Sequence, residues 1–483
     1  MPSAAPTTTL TVRSHRQPVP VQVPAPESAP PRKLKHPPCT SYPDSEGNSL
    51  YSLGFHPIRY QNHTLPAYDT RPAKRSMPTP HQTIVVVNSS GRQAASFIRV
   101  AVAVGYRVRA QLRSLDGIVA SEISSLPNVT VVVGDLFHKP NSPTSPNGNP
   151  KKGVNHELIA DLFRGAHLAF INTTYWGDEV AIGCAVADAA VRANIKHLVY
   201  SSMPDHSQLT PPSAPQPWPS LPLWSSKAAI SAYIKSIPTL ASRTTFLYTG
   251  IYNNNFTSLP YPIFCTELQP DGSFVWEAPF HPHVKLPWLD AEHDVGPAVL
   301  QIFKDGADKW AGQTIPLAYE MLSPTEACQA FSRGIGGRKV SYRRRTTIEV
   351  RVKIPTGYRE QLLALEEMYK LGEEDPNLQP PYFGTNALDE RCVEQSLGLW
   401  EGPRGLEEYA REVFPLEEAA NGLTWMNDTT DGEQTGDEMD AADAEEEGSD
   451  YGLEMAGGMA GASSGTGTGG ENTPARREES WLA

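Results

Sequence analysis

The sequence predicts an α/β fold, a doubly wound parallel sheet with a smaller, irregular α+β lobe after it. Three observations carry this. A continuous apolar run at Thr83-Ile-Val-Val-Val87 meets the small residues Asn88-Ser-Ser-Gly91 and then a stretch of helical period. The next hundred or so residues repeat the alternation of strand and helix. After Gly250 that rhythm breaks into Tyr252-Asn-Asn-Asn-Phe256, closely spaced prolines and aromatics.

Taken in order, the first strand is a buried parallel one ending at Asn88. The chain turns through Ser89 to Gly91, and the following helix aims its N-terminal amides at an anion, a diphosphate in folds of this kind. Against the G-x-x-G-x-x-G spacing of Rossmann dehydrogenases, the three glycine positions read Asn88, Gly91 and Ala94. Asn tolerates left-handed dihedrals and Ala allows close helix–strand packing, so the geometry survives with one glycine.

The helix carries Phe97, Ile98, Ala101 and Val102 at helical spacing and stops at Gly105, and a second strand runs over 106–112. An acid about 20 residues beyond the turn ordinarily binds the adenosine ribose hydroxyls, but Gln111-Leu112-Arg113 stands there. NAD is therefore not singled out. Arg92 and Arg113 can meet a 2′-phosphate, so NAD and NADP both stay open. A third strand over 129–133 precedes a Pro/Asn/Ser/Gly-rich loop over 139–152. A helix over 156–164 leads to a fourth strand whose polar end, Asn172 and Thr173, faces the cofactor. A helix over 178–193, a strand over 197–202, a helix over 224–236 carrying Lys227 and a strand over 244–249 complete an NAD(P)-binding domain spanning 81–250. Prolines between 204 and 222 exclude a helix there.

The smaller lobe spans 251–415, with helices expected over 287–303, 323–334 and 358–371. Arg343-Arg344-Arg345 reads as a solvated strand edge, because no helix-turn-helix or zinc-finger spacing accompanies it. Residues 1–80, rich in Pro, Ser and Thr, read as a disordered arm, and 416–483 as a disordered acidic tail.

Composition sharpens these limits. The formal net charge is −13, yet about 21 acidic and 4 basic residues follow from Glu401 onward, leaving about +4 for everything before. The acidity belongs to the tail. Five cysteines, Cys39, Cys184, Cys265, Cys328 and Cys392, form no C-x-x-C pattern, which argues for a reducing compartment and against structural zinc. No apolar run of about 18 residues and no signal-peptide core occur, so a soluble intracellular protein is expected.

Short-chain dehydrogenases use a Tyr, a Lys four residues later and a Ser at the end of the fifth strand. The Tyr exchanges a proton with substrate oxygen, its pKa lowered by the ammonium. Four residues before Lys227 stands Leu223, which has no ionisable proton, and Tyr233 is out of helical phase. Ser201 and Ser202 supply hydroxyls but no acid. The cofactor half of the site is present and the chemical half is not.

Longer strings are more specific. Asn88-Ser-Ser-Gly-Arg-Gln-Ala-Ala-Ser96, Ala166-His-Leu-Ala-Phe-Ile-Asn-Thr-Thr174, Tyr200-Ser-Ser-Met-Pro-Asp-His-Ser207, Gly250-Ile-Tyr-Asn-Asn-Asn-Phe-Thr-Ser-Leu-Pro-Tyr-Pro262 and Pro287-Trp-Leu-Asp-Ala-Glu-His-Asp-Val-Gly-Pro297 resemble the NmrA-type nitrogen metabolite repression regulators of filamentous fungi. The resemblance runs over about 83–383. It implies a non-catalytic fold of the extended dehydrogenase type that binds NAD or NADP, the oxidised form being expected. It also implies a co-repressor, in nucleus or cytoplasm or both, that binds a GATA-type zinc-finger activator without touching DNA or membrane.

Carried over residue by residue, the resemblance places the cofactor on Asn88, Ser90, Gly91, Arg92 and Gln93 at the turn, Arg113 after the second strand, and Asn172 and Thr173 after the fourth. Lys227, Tyr252 and Asn253 lie toward the nicotinamide. Departures are Ser90 where Thr is common, Arg113 where His can stand, and insertions over 139–152 and 209–219. Acids for a basic finger are expected from the core at Asp290, Glu292 and Asp294 and from the tail over 433–450, with most of the affinity in the core. The competing reading is a reductase of the isoflavone-reductase-like type that uses Lys227 without a Tyr.

Overall fold

Ile84, Val85 and Val86 are fully buried, which fixes Thr83–Val86 (β1) inside the sheet. The other strands are Arg107–Leu112 (β2), Val129–Val133 (β3), Leu168–Asn172 (β4), His197–Ser202 (β5), Thr244–Thr249 (β6) and Thr314–Leu317 (β7). All neighbours are parallel, in the order β7-β6-β5-β4-β1-β2-β3. The chain builds outward from β1 to β3, then returns to the other side of β1 with β4. Ligands of such sheets bind where the strand order reverses, here at the carboxyl ends of β1 and β4.

The computed structural model describes residues 81–138, 153–174, 178–209, 217–256, 265–345, 347, 356–370 and 375–416. The arm over 1–80, the loop over 139–152 and the tail beyond 416 lie outside them. No described helix is long and apolar enough to cross a membrane.

One face of the sheet is covered by Arg92–Ala103 (α1) and by the helix Val295–Asp305, which meet through Phe97, Ile98, Val299 and Ile302. Gly296 permits the approach. A Cβ there would lie 2.5 Å from the Ser96 carbonyl oxygen, and the Gly296 amide donates to Ser96 Oγ at 3.0 Å. Between β2 and β3 runs Ile118–Ser125 (α2), a short helix with only Ala120 and Ile123 buried. The opposite face carries His156–Phe163 (α3), Glu179–Arg192 (α4) and Pro222–Ser236 (α5). Asp178 caps the start of α4 by accepting from the Ala181 amide at 2.9 Å, a start signal legible in the sequence.

The segment after Gly250 serves two bodies. It supplies β7 to the sheet and also a separate aromatic core in which Phe256 stacks on Phe331 at 4.8 Å and Trp276 meets Trp288 edge-on at 5.6 Å. Its small sheets are Cys265–Leu268, Phe274–Ala278 and Val340–Arg344, and Ile251–Tyr252, Leu286–Leu289 and Glu320–Leu322. The helix Pro324–Gly334 starts at a capping box of Ser323 and Glu326, and Thr356–Lys370 also matches its expected place.

The helix expected over 287–303 needs correction. Leu286–Leu289 is a fully buried strand, with Trp288 Nε1 donating to the Leu322 carbonyl at 3.0 Å, and the helix begins only at Val295. Pro287 favours extended backbone, and the carboxylates of Asp290 and Asp294 bind amides of the intervening turn, which stops helix from running through. The arginine run lies on the expected strand edge, Val340–Arg344 and just after it, with Arg343 exposed, and is also paired. Arg343 and Arg345 pair with Glu277 at 2.9 and 2.7 Å, and Arg344 donates to the carbonyls of Pro279 and Tyr369. The run clamps the small sheet internally.

Candidate functional site

The turn after β1 has the conformation the sequence calls for. Asn88 is left-handed at φ 56°, the conformation its short polar side chain tolerates. Its amide donates to Gln111 Oε1 at 3.0 Å, and Gln111 Nε2 donates to the Gly134 carbonyl at 2.9 Å. The buried Gln111 thus ties the ends of β1, β2 and β3 together. Gly91 takes the N-cap of α1 with extended dihedrals (φ −67°, ψ 151°). No side chain caps the helix and no acid lies in its first turn. Its first amides therefore point out of the sheet's carboxyl edge without a covalently neighbouring anion, a ready phosphate site.

Ser90 is half-buried beside Gly91, and Arg113 is exposed just past β2. Across the crevice, Asn172 and Thr173 end β4 and are buried. Asn88 Nδ2 and Asn172 Nδ2 are buried amide donors without a partner in the protein. Asn88 follows β1 and Asn172 ends β4, the two strands flanking the switch point, so unsatisfied donors stand at both strand ends where a dinucleotide would lie.

Lys227 comes in from α5. Its ammonium donates to the Thr173 carbonyl and lies 3.2 Å from Glu179 Oε1, 3.4 Å from Thr173 Oγ1 and 3.4 Å from Asn172 Oδ1. Glu179, buried in the first turn of α4, accepts on its other oxygen from Ser226. Three ammonium protons thus meet four acceptors of the protein itself. Gln93 carries a second chain of bonds. Ser201 Oγ donates to its Oε1 at 2.8 Å, and its amide donates to the Tyr252 hydroxyl, which lies 3.5 Å from Thr249 Oγ1.

Two phenols lie in this network, Tyr252 and Tyr200, the latter 3.1 Å from Thr173 Oγ1. Burial pushes the Tyr252 phenol up, and burial followed by the Glu179 carboxylate holds Tyr200 well above the ordinary range. That is the reverse of what a catalytic Tyr needs. Leu223, four residues before Lys227, donates its amide to Gln361 Oε1 at 3.0 Å, and the Tyr233 hydroxyl donates to Asp188 Oδ1 at 2.8 Å.

Asn253 is less closely joined to the crevice. It is buried, its amide donates to the Arg404 carbonyl at 3.3 Å, and its Oδ1 has no partner. Arg92 is the first residue of α1. Its guanidinium is buried and paired with Glu292.

The core acids expected to face a basic finger are corrected as well. Asp290 and Asp294 are fully buried. Asp290 pairs with Arg404 Nε at 2.7 Å, and Asp294 accepts from the Arg404 amide at 3.0 Å and lies 2.7 Å from His293 Nδ1. These carboxylates organise the turn before Val295 and offer no charge to a surface.

Among the described residues no three His, Cys, Asp or Glu side chains converge as a metal site, and Cys184, Cys328 and Cys392 are free thiols. Sequence reasoning missed Glu179, Gln111 and the pairing of Glu292. A polar Gln111 between the apolar Ala110 and Leu112, and an acid at the first position of the helix after β4, were the available signals.

A doubly wound parallel sheet with an uncapped helix at its switch point defines a Rossmann-like, dinucleotide-binding fold. The chain belongs to the NmrA-like family, whose model matches residues 80–410. It is 61% identical to the nitrogen metabolite repression protein nmr of Neurospora crassa over 387 residues, covering 78% of this chain and 77% of that protein. It is 48% identical to nitrogen metabolite repression protein nmrA of Emericella nidulans, covering 71% of this chain and 98% of that protein. Among solved structures it is similar to Nmra, a negative transcriptional regulator, in complex with NAD (TM-score 0.62, 51% identity) and in complex with NADP (TM-score 0.62, 50% identity). Each match covers 72% of this chain and 99% of that one.

Proposed function

We propose that this protein is a negative transcriptional regulator of nitrogen metabolite repression that holds NAD or NADP without turning it over. The observation that carries the non-catalytic part is the Lys227 ammonium, enclosed by Thr173, Asn172 and Glu179 while Leu223 replaces the proton donor. A hydride acceptor in this site would find no Tyr at 223 to protonate it, and the Lys227 protons are already taken up by Thr173, Asn172 and Glu179. The bound dinucleotide would supply a nicotinamide toward Lys227 and Tyr252. The residues in a position to hold it are the turn from Asn88 to Gln93, Arg113, Asn172 and Thr173.

The partner in this reading is a GATA-type zinc finger, bound as protein in nucleus or cytoplasm, with no contact to DNA or membrane. Similarity to the two repression proteins supports the regulatory role, and the finger is the proposed means. The test is titration of the purified full chain with a GATA finger, with and without NAD or NADP, beside an assay of NADPH oxidation with carbonyl substrates. A finger complex without turnover supports the proposal. Turnover that disappears in Lys227→Ala would replace it with the reductase reading.

A further inference from the structure

Arg92 is the first residue of α1, next to the Gly91 N-cap, and its guanidinium is 6% exposed. Its carboxylate partner comes from 200 residues away, although α1 has no acid in its own first turn. Glu292 reaches that place because its backbone is held. Asp290 Oδ1 accepts from the amides of Glu292 and His293 at 3.0 and 3.1 Å, and Asp290 Oδ2 is clamped by Arg404. The Glu292 side chain itself is 35% exposed, so it can swing away while its backbone stays.

The arrangement puts a carboxylate on the guanidinium carried by the first residue of the helix whose amides would bind phosphate. Two anions cannot both have that guanidinium at full strength, and the side chain already present is tethered at high local concentration. We propose that Glu292 is an internal competitor for the dinucleotide's phosphate charge at Arg92, a positioning residue that sets how tightly the turn holds its ligand. This rests on the dinucleotide reading above. Phosphate entering the turn draws Arg92 toward itself and releases Glu292 to solvent. Both NAD and NADP carry the diphosphate concerned, so the competition acts on both.

The experiment is calorimetric titration of the full chain with NAD and with NADP at two salt concentrations. It uses the wild type, Glu292→Gln, Glu292→Asp, Arg92→Gln and the double variant Arg92→Gln/Glu292→Gln. Glu292→Gln should bind both dinucleotides roughly fivefold or more tightly, with a steeper salt dependence. Glu292→Asp, which keeps the charge, should stay near wild type. In the Arg92→Gln background the gain should fall by at least half, because a carboxylate acting only through bulk repulsion would give the same gain with or without Arg92. Unchanged or weaker binding by Glu292→Gln, or an undiminished gain in that background, overturns the inference while wild-type binding leaves the dinucleotide reading standing. No binding by any variant overturns both.

Discussion

Lys227 and Glu179 form a half-sealed ion pair at 3.2 Å between α5 and α4, with side chains 17% and 2% exposed. A buried pair costs most when one member is removed alone, since the other charge is left without compensation. Lys227→Met should therefore destabilise the protein by about 3 kcal/mol, and Lys227→Met/Glu179→Gln by less than that single change. Urea unfolding of the four-member cycle measures the coupling. Additive effects would mean the pair is screened and plays no part in holding α4 to α5.

Gly91 yields a prediction in which binding and stability move apart. Its dihedrals are open to any residue, so the position requires no left-handed glycine. An Asp at an N-cap accepts from the first-turn amides. Gly91→Asp would thus install a carboxylate where the diphosphate belongs, and repel what remains of the ligand's charge. Calorimetry should show dinucleotide binding lost while the melting temperature holds or rises. A variant that melts normally and still binds NAD tightly would remove the turn from the site.

The difference between what the sequence disclosed and what it withheld follows the range of the interactions. β1, its turn and α1 are local, so apolar run, small residues and helical period lie side by side and can be read directly. β7 escaped notice because it is four residues long with Pro316 inside, and such a strand survives only at an edge, which is where the sheet places it. The strand over Leu286–Leu289 reads as helix when its neighbours in space are unknown. In the site, Lys227 was visible from its spacing, but its saturation by Glu179 depends on a contact across 48 residues. Glu292 reads as a surface acid until the fold brings it to Arg92.

The buried turn acids lead to a prediction about the partner. Asp290→Asn and Asp294→Asn should each cost about 1–3 kcal/mol in unfolding free energy, through weakened bonds to Arg404 and the turn amides. Affinity of the folded variants for a GATA finger should stay within about twofold of wild type, since neither carboxylate is displayed. Truncation after Pro415 removes an acidic stretch and should lower the association rate and its salt dependence while leaving a specific complex. If truncation eliminates the complex at moderate salt, the tail is the docking element.

His197 gives the pH dependence. It is buried in β5 with Nε2 2.9 Å from Thr245 Oγ1, and burial lowers its pKa to about 4. The unfolded chain regains an ordinary imidazole near 6.5, so between those values the unfolded state binds more protons and stability rises with pH. Its contribution is full above about pH 6.5 and is lost as pH falls toward 4, on the order of 3 kcal/mol in all. Asp389 acts in the opposite sense. Burial raises its carboxyl to about 6 against the two amides of Tyr382 and Phe383, so its folded form holds a proton that the unfolded chain has released, and stability from this group falls as pH rises toward 6. The two overlap in a wild-type profile and separate in variants. Relative to His197→Asn, wild type should lose stability from pH 6.5 down to 4, and relative to Asp389→Asn it should lose stability from pH 4 up to 6. Denaturant melts at half-unit pH steps read both slopes. Parallel profiles for wild type and His197→Asn would mean that the imidazole is hydrated in the folded protein.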